Sequence, residues 1–270
     1  MTMQADSDDP IAVAGPGQIG LPIRRVPLDA PWEWVAKGWR DLCALPLASL
    51  AYGAVFAAFA WIVLLALNAL GAVALIPVMA AGFLLIAPLA AAGLYEMSRR
   101  LEKGEPVTFR AVLGACMGAV GRLAFFGIAL FFAFFIWVEL AFLLLSLFLG
   151  EVALPAPSEF VQTVLFTNAG VGLLFVGTLT GGLLAAVVFA ISSIAVPLLL
   201  AKDVDAVTAM VTSARATSLN TGPMLLWAAI IAGYMVLGLA TLFVGLIVIF
   251  PLLGHATWHA FRALTDIDGT

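Results

Sequence analysis

The sequence predicts an all-α, polytopic membrane protein with six transmembrane helices, and three observations support this fold class. Of the 270 residues, 64% are hydrophobic and only 10% are charged, whereas a soluble domain carries about 25% charged residues. Long apolar runs without any Asp, Glu, Lys or Arg cover residues 42–95, 160–201 and 216–261. The 12 basic residues all fall on one face of a six-span arrangement, as the positive-inside rule requires. A soluble enzyme with a single buried core is therefore excluded.

The spans follow from the lengths of the apolar runs. A span needs about 20 apolar residues, so 42–95 and 216–261 each hold two. The region 123–150 is interrupted only by Glu139 and holds one span. The run 160–201 begins with several polar residues and also holds one. We therefore expect spans at 48–69, 75–98, 123–148, 172–200, 223–240 and 242–261.

Amphipathic helices are expected on the basic, cytoplasmic face at 31–45, 107–120 and 204–219. Each of them precedes an outgoing span and a returning span, which predicts three helix–span–span repeats over 31–101, 106–202 and 204–264. Repeats of this kind run in the same direction and are parallel rather than inverted. Each returning span also contains one proline, at Pro88, Pro197 and Pro251.

Four residues are predicted to anchor the chain at the membrane interface. Trp32 and Trp39 lie on one stripe of the helix at 31–45, and tryptophans on such a helix sit at headgroup depth. Arg99 and Arg100 end the second span, where arginine side chains extend toward anionic headgroups.

The remaining segments are short. We expect a disordered cytoplasmic tail at 1–28, a transmembrane domain at 29–264 and a short cytoplasmic tail at 265–270. Within the fourth span, Gly177, Gly181 and Ala185 form a small-xxx-small pattern that favours close helix packing, either within the bundle or between two copies.

Four phrases are distinctive when they occur together. They are Gly38-Trp39-Arg40-Asp41-Leu42, Gly93-Leu94-Tyr95-Glu96-Met97-Ser98-Arg99-Arg100, Lys202-Asp203-Val204-Asp205-Ala206-Val207-Thr208-Ala209-Met210 and Pro251-Leu252-Leu253-Gly254-His255-Ala256-Thr257-Trp258-His259-Ala260. With these phrases the chain resembles domain-of-unknown-function family 2189, bacterial predicted integral membrane proteins, over about residues 30–264. The resemblance implies a multi-pass protein of the bacterial inner membrane with no established activity and no assigned site residue.

Some relatives in that family carry a label as cytochrome c oxidase subunits. A catalytic haem–copper subunit needs more spans and more metal-binding histidines than this sequence has, since it contains only two histidines. The label is therefore compatible only with an accessory or assembly partner.

Glu139 is the main candidate for a functional residue inside the membrane. An intramembrane acid is costly, and it usually faces the interior of a helix bundle. The functional hypothesis is a proton or cation site. The alternatives are a protonated carboxyl bonded to a neighbour, or an acid close enough to the outer interface to be hydrated.

His255 and His259 are spaced four residues apart and share one helix face, so they could bind a metal or flank a haem. Glu96, near the same end of the second span, could supply a third ligand. The alternative is two polar residues at a helix end, where the helix dipole favours them. We expect no cofactor, because neither another histidine nor a nearby cysteine completes such a site.

The sequence leaves three functional hypotheses. The first is a non-enzymatic accessory, assembly or structural component of a membrane complex, with the lipid bilayer, other subunits or a second copy as partners. The second is a small transporter or channel that uses Glu139. The third, ranked last, is an enzyme acting on lipid through Glu96, His255 and His259. Nucleic acid is not an expected partner, because the net charge is −4 and no basic tract occurs.

Overall fold

The computed structural model describes residues 20–72, 75–150 and 157–266, and within them the chain is helical with one isolated β-bridge. The helices are α1 Ala30–Ala44, α2 Pro46–Ala69, α3 Ile76–Ala90, α4 Ala92–Lys103, α5 Phe109–Gly118, α6 Val120–Leu149, α7 Pro157–Phe166, α8 Asn168–Ser192, α9 Ala195–Ala201, α10 Ala206–Leu219, α11 Thr221–Ala240 and α12 Leu246–Leu264. The all-α fold class is confirmed. The three expected amphipathic helices are present as α1, α5 and α10, and the short helix α7 lies between the expected third and fourth spans.

Five helical segments of the described chain are long and apolar enough to cross a membrane. They are Pro46–Ala69, Val78–Lys103, Val120–Leu149, Asn168–Ala201 and Thr221–Ala240. The sixth expected span coincides with α12, whose second half carries two histidines and an arginine. Five spans are therefore supported by length and composition, and the sixth stays a prediction.

The helices are arranged in three units that pack in a ring. Each unit contains an amphipathic helix, an outgoing helix and a returning helix, namely α1–α2–α3/α4, α5–α6–α8/α9 and α10–α11–α12. The amphipathic helix of one unit packs on the returning helix of the preceding unit: α5 on α4, α10 on α8 and α9, and α1 on α12. The returning helices α4, α9 and α12 also contact one another. This packing is the arrangement that three parallel repeats would give.

Two of the returning helices are broken near their prolines. Pro197 explains the α8–α9 break, because proline lacks an N–H and clashes with the preceding turn, whereas the α3–α4 break follows Pro88 by three residues. The α3–α4 break is at Ala91, where the Tyr52 hydroxyl donates to the Ala90 carbonyl oxygen at 2.7 Å. At the α8–α9 break, the Ser213 hydroxyl donates to the Ala190 carbonyl at 2.8 Å. Hydroxyl groups from other helices thus bond backbone groups that water cannot reach inside a bilayer.

The helix α1 packs by a different stripe from the one that carries Trp32 and Trp39. Trp34, Gly38 and Leu42 are the buried residues in its middle and last turns. A Cβ atom at Gly38 would lie 2.6 Å from the backbone nitrogen of Ala256, so only glycine allows α1 to approach α12 this closely. Trp34 meets Trp227 of α11 edge-on, with ring centroids 5.7 Å apart.

Residues 20–28, which we expected to belong to a disordered tail, lie against the helical body. Ile23 is buried and pairs with Thr265 in the β-bridge. The side-chain amide of Asn220 donates to the Arg24 carbonyl, and its oxygen accepts from the Val26 N–H. The body therefore begins before residue 29 and extends past residue 264, while residues 1–19 and 267–270 lie outside the described residues.

Two apolar cavities lie between the spans. One, of about 470 Å³, lies between α2, α3, α6 and the α11–α12 turn. The other, of about 580 Å³, lies between α3, α6, α7 and α8, and Gly177, Gly181 and Ala185 line it. A Cβ atom at Gly181 would lie 2.8 Å from the Trp137 ring of α6, whereas one at Gly177 would meet no atom within 4 Å. Of the two glycines in the stripe, Gly181 therefore makes a close helix contact and Gly177 does not.

Candidate functional site

A chain of hydrogen bonds joins α1, α2, α4 and α12 at the point where they meet. The fully buried His255 has its Nε2 atom 2.9 Å from Ser49 Oγ and its Nδ1 atom 2.8 Å from Ser98 Oγ. Ser98 Oγ lies 2.6 Å from Asp41 Oδ2, and His259 Nε2 lies 2.9 Å from the same oxygen. We call these five side chains the four-helix network.

The chemistry of the groups fixes the direction of each bond. An ionised carboxylate only accepts, so Ser98 donates its single hydroxyl proton to Asp41. Its oxygen must then accept from the Nδ1–H of His255. Full burial favours the neutral imidazole, which then has a lone pair on Nε2. The hydroxyl of Ser49 donates to that lone pair. His259 donates its Nε2–H to Asp41, so the carboxylate ends both arms of the network.

Asp41 is ionised because its hydrogen bonds outweigh its burial. Burial alone would raise the pKa of this carboxyl. The hydrogen bonds from His259 and Ser98, together with the nearby imidazoles, instead hold the pKa below its ordinary value of 3.8. A carboxylate that accepts two hydrogen bonds in a mostly buried position links the helices that carry its donors, α4 and α12, to α1.

The network contains a serine–histidine pair, but the pair is not arranged for nucleophilic catalysis. Ser49 and His255 are both 0% exposed, so no substrate atom can reach the hydroxyl. A second hydroxyl, that of Ser98, separates the imidazole from the carboxylate. The network instead joins four helices through a buried polar cluster whose members are hydrogen-bonded to one another. Disrupting such a cluster is costly.

Glu96 lies close to this junction but belongs to a different cluster. Its carboxylate accepts from Arg99 Nε at 2.6 Å, Arg99 Nη2 at 2.7 Å and Arg100 Nε at 2.7 Å. Glu96 is 1% exposed, and both arginine side chains are 17% exposed. The guanidinium groups therefore turn inward on Glu96, and little of them is left for lipid headgroups. Their role as anchors stays a prediction.

The structure does not bring Glu96 together with the two histidines as a ligand set. His255 is bonded by two serines, His259 by Asp41 and Glu96 by two arginines. In the described ranges, no group of three or more His, Cys, Asp or Glu residues is arranged to hold a metal ion. The hypothesis of a metal or haem at His255 and His259 therefore gains no geometric support.

Trp32 and Trp39 expose 56% and 50% of their surface. An anchor in the interface must present its ring outward in this way. The role of the two tryptophans stays a prediction, since exposure is a requirement for it and not a test.

Glu139 lies on the exposed face of α6 and not in the bundle interior, where acids within the membrane usually lie. The buried residues of α6 include Phe126 and Leu130, through which the helix packs on its neighbours. Nine residues separate Leu130 from Glu139, which places the acid about 180° around the helix. Packing of one face against α3 and α8 therefore turns Glu139 outward.

Sequence reasoning missed Asp41, Ser49 and Ser98 as site residues. Each is unremarkable alone, and their partners are distant in the sequence, since Ser49 and His255 are 206 positions apart. One signal could have found most of the network. The phrases that carry the family resemblance contain Asp41, Ser98 and both histidines, although they do not contain Ser49.

The breaks, the buried polar groups and the apolar outer faces are those of a chain built for a bilayer. Residues 75–201 match the family described as predicted integral membrane protein (DUF2189). The resemblance seen in the sequence is therefore confirmed over this range. No curated protein and no solved structure matches the chain.

The match to DUF2189 covers α3 to α9, from the first returning helix through the whole second unit. Glu96, Ser98 and Glu139 lie within it. The other members of the four-helix network lie on α1, α2 and α12, outside the matched range. This protein is thus a multi-pass integral membrane protein, and the network ties its DUF2189 region to both ends of the chain.

Proposed function

We propose that this protein is a non-enzymatic accessory, assembly or structural component of a larger membrane complex. The observation that carries this proposal is the position of Glu139 on the outer face of α6. On insertion scales, an acid at the centre of a span costs about 2.5–3.5 kcal/mol. The cost falls when a neighbouring protein covers the carboxyl, so an outward-facing acid favours a partner.

The geometry gives no such support to a transporter or channel that uses Glu139, because its carboxyl would have to line a path through the bundle. The sequence offers two further polar residues within spans for such a path, Asn68 and Thr180. Neither they nor Glu139 line the two cavities described above. Where the returning helices meet, the buried polar groups Ser98 and His255 are bonded to each other, and apolar side chains fill the space around them. Leu94, Leu198 and Ala256 are fully buried members of one cluster.

A catalytic role is also disfavoured by what the candidate residues contact. His255 and Glu96 are closed off from solvent and have their polar atoms occupied by other side chains. Only His259 is partly exposed, and it is bonded to Asp41. A hydrolytic enzyme needs a reachable nucleophile or base, and these residues present neither.

The proposal includes a location and an orientation. The 12 Lys and Arg residues lie before α2, from α4 to the start of α6, between α9 and α11 and near the end of α12. In a six-span arrangement all of these segments are on one side of the membrane. The positive-inside rule therefore favours the cytoplasm for both termini of a bacterial inner-membrane protein. Reporter fusions at residues 70 and 270 test this orientation. Activity of a periplasmic reporter at residue 270 would contradict it.

The proposed function is tested by purification of the chromosomally tagged, full-length protein in mild detergent, with quantitative mass spectrometry of the co-purifying proteins. We expect one or more membrane proteins in stoichiometric amounts. A protein that elutes alone, or only with copies of itself, would refute the accessory function. A tagged membrane protein of similar abundance serves as the control for non-specific recovery.

A further inference from the structure

The outer face of α6 carries a regular pattern of exposed residues. It consists of residues spaced alternately three and four apart over three heptads, which we call the outer face set: Phe125, Ile128, Phe132, Phe135, Glu139, Phe142 and Ser146. All seven are exposed. This alternation of three and four is the spacing of the a and d positions at which two helices pack side by side. The set thus has the spacing that a second helix requires, within a wider exposed surface that also includes Phe131, Ile136 and Leu143, and four of its seven members are phenylalanines.

Glu139 is the one ionisable residue of this set. The helix has 30 residues, so Glu139 lies about 7 Å beyond its midpoint on the side of Leu149. That depth is within a hydrocarbon core about 30 Å thick. No hydrogen bond or ion pair to Glu139 occurs among the described residues. A single polar residue at an a position specifies which helix pairs there and in which register.

This chain has no cation that could reach Glu139 from a second copy. No lysine or arginine occurs between Arg122 and Lys202. Arg122 itself lies 17 residues earlier, about 25 Å along the helix. Two copies paired through α6 would bring Glu139 against Glu139, and like charges disfavour that contact. Charge complementarity therefore requires a different protein.

We propose that the outer face set binds a transmembrane helix of another protein, and that this helix presents a lysine or arginine to Glu139. This inference rests on the proposed accessory function and names its contact surface and the chemistry of its partner. The aromatic residues supply packing area, while the ion pair within the membrane selects the partner and its register.

The test places the photo-reactive residue p-benzoylphenylalanine at Phe135, one turn before Glu139, in the full-length protein expressed at native level in its own membranes. The matched control carries the same residue at Phe175 of α8, a phenylalanine that is 72% exposed on another helix. We expect the Phe135 probe to form an adduct with a transmembrane peptide that contains lysine or arginine, and the Phe175 probe not to form it.

The proposed ion pair is tested by substitution of Glu139 and of the partner's basic residue. We expect Glu139→Lys to lower the adduct yield about tenfold, the upper range for one polar contact between membrane helices. Glu139→Gln, which can still accept a hydrogen bond, lowers the yield less. When the partner's basic residue is changed to glutamate and combined with Glu139→Lys, the ion pair is reversed, and the adduct yield should be restored.

Three results would overturn the inference. They are adducts only with lipid, adducts only with a second copy of this chain, and a partner adduct whose yield does not depend on residue 139. Because the tagged purification is run on the same strains, the two proposals can fail separately. A stoichiometric partner with a negative result at Phe135 refutes this surface alone, whereas the absence of any stoichiometric partner refutes the accessory function itself.

Discussion

Substitution of Ser98 by alanine tests whether the four-helix network stabilises the protein. Ser98 is fully buried, donates to Asp41 at 2.6 Å and accepts from His255 at 2.8 Å. In Ser98→Ala, the Nδ1–H of His255 is left buried without an acceptor, and Asp41 loses one of its two donors. A hydrogen bond to a charged group contributes about 1.5–3 kcal/mol, and an unsatisfied buried donor costs about 1–3 kcal/mol.

Together these effects predict a loss of about 3 kcal/mol in the free energy of unfolding. For a protein of this size, each kcal/mol corresponds to about 2–4 °C, so Tm should fall by about 6–12 °C. Thermal unfolding of the purified protein in mild detergent, followed by the fluorescence of its 7 tryptophans, measures the change. The control is Ser218→Ala on α10, because Ser218 is exposed and its hydroxyl bonds only the backbone of its own helix. If both variants unfold at the same temperature, the network does not stabilise the junction.

Three further predictions follow from named contacts. The folded-state pKa of Asp41 is lowered, so this carboxylate stabilises the protein fully at pH values above its ordinary pKa of 3.8, and the stabilisation is lost as the pH falls through the folded-state pKa. Asp41→Asn should therefore make Tm depend less on pH in the acid range. An unchanged acid dependence of Tm would contradict this assignment. A methyl group at Gly53 would overlap the backbone of Ile247 on α12, so Gly53→Ala should lower the free energy of unfolding by about 1–3 kcal/mol, although alanine has the better helix propensity. Gly233 has open space around it, so the control Gly233→Ala should cause no such loss. Equal effects of the two variants on unfolding in detergent would contradict the close α2–α12 contact. Tyr52→Phe removes the hydrogen bond to the carbonyl at the α3–α4 break and should lower the free energy of unfolding in detergent by about 1 kcal/mol. A variant as stable as the natural protein would show that this bond contributes nothing.

Most of the helices could be predicted from the sequence because their signals are local. The length of an apolar run fixes how many spans it holds, and Pro46 and Gly104 lie where helices begin and end. Asp205 accepts a hydrogen bond from the Thr208 N–H at the start of α10, as aspartates commonly do at the N-cap position. The helix breaks at Ala91 and Ser193 were not predicted, because proline marks a weakened helix but the residue at which it breaks depends on neighbouring helices.

The orientation of helix faces could not be predicted with the same success. In α1, Trp32 and Trp39 lie on one stripe and Trp34 on another, so the positions of the tryptophans alone do not say which stripe packs. The contact at Gly38 decides it, because only there can the backbones of α1 and α12 approach closely. In α6, nearly every position is apolar, so no pattern in the sequence shows which side is buried.

The sequence by itself determined that this protein crosses a membrane several times, where its helices lie and that the helices form three successive units. These properties depend on composition and spacing within short segments, where each residue acts through its immediate neighbours. Only the tertiary structure decided that Glu139 faces outward and that Asp41, Ser49, Ser98, His255 and His259 meet. Those outcomes depend on how distant helices pack, because a hydrogen bond over 206 residues of sequence exists only once α2 and α12 lie side by side.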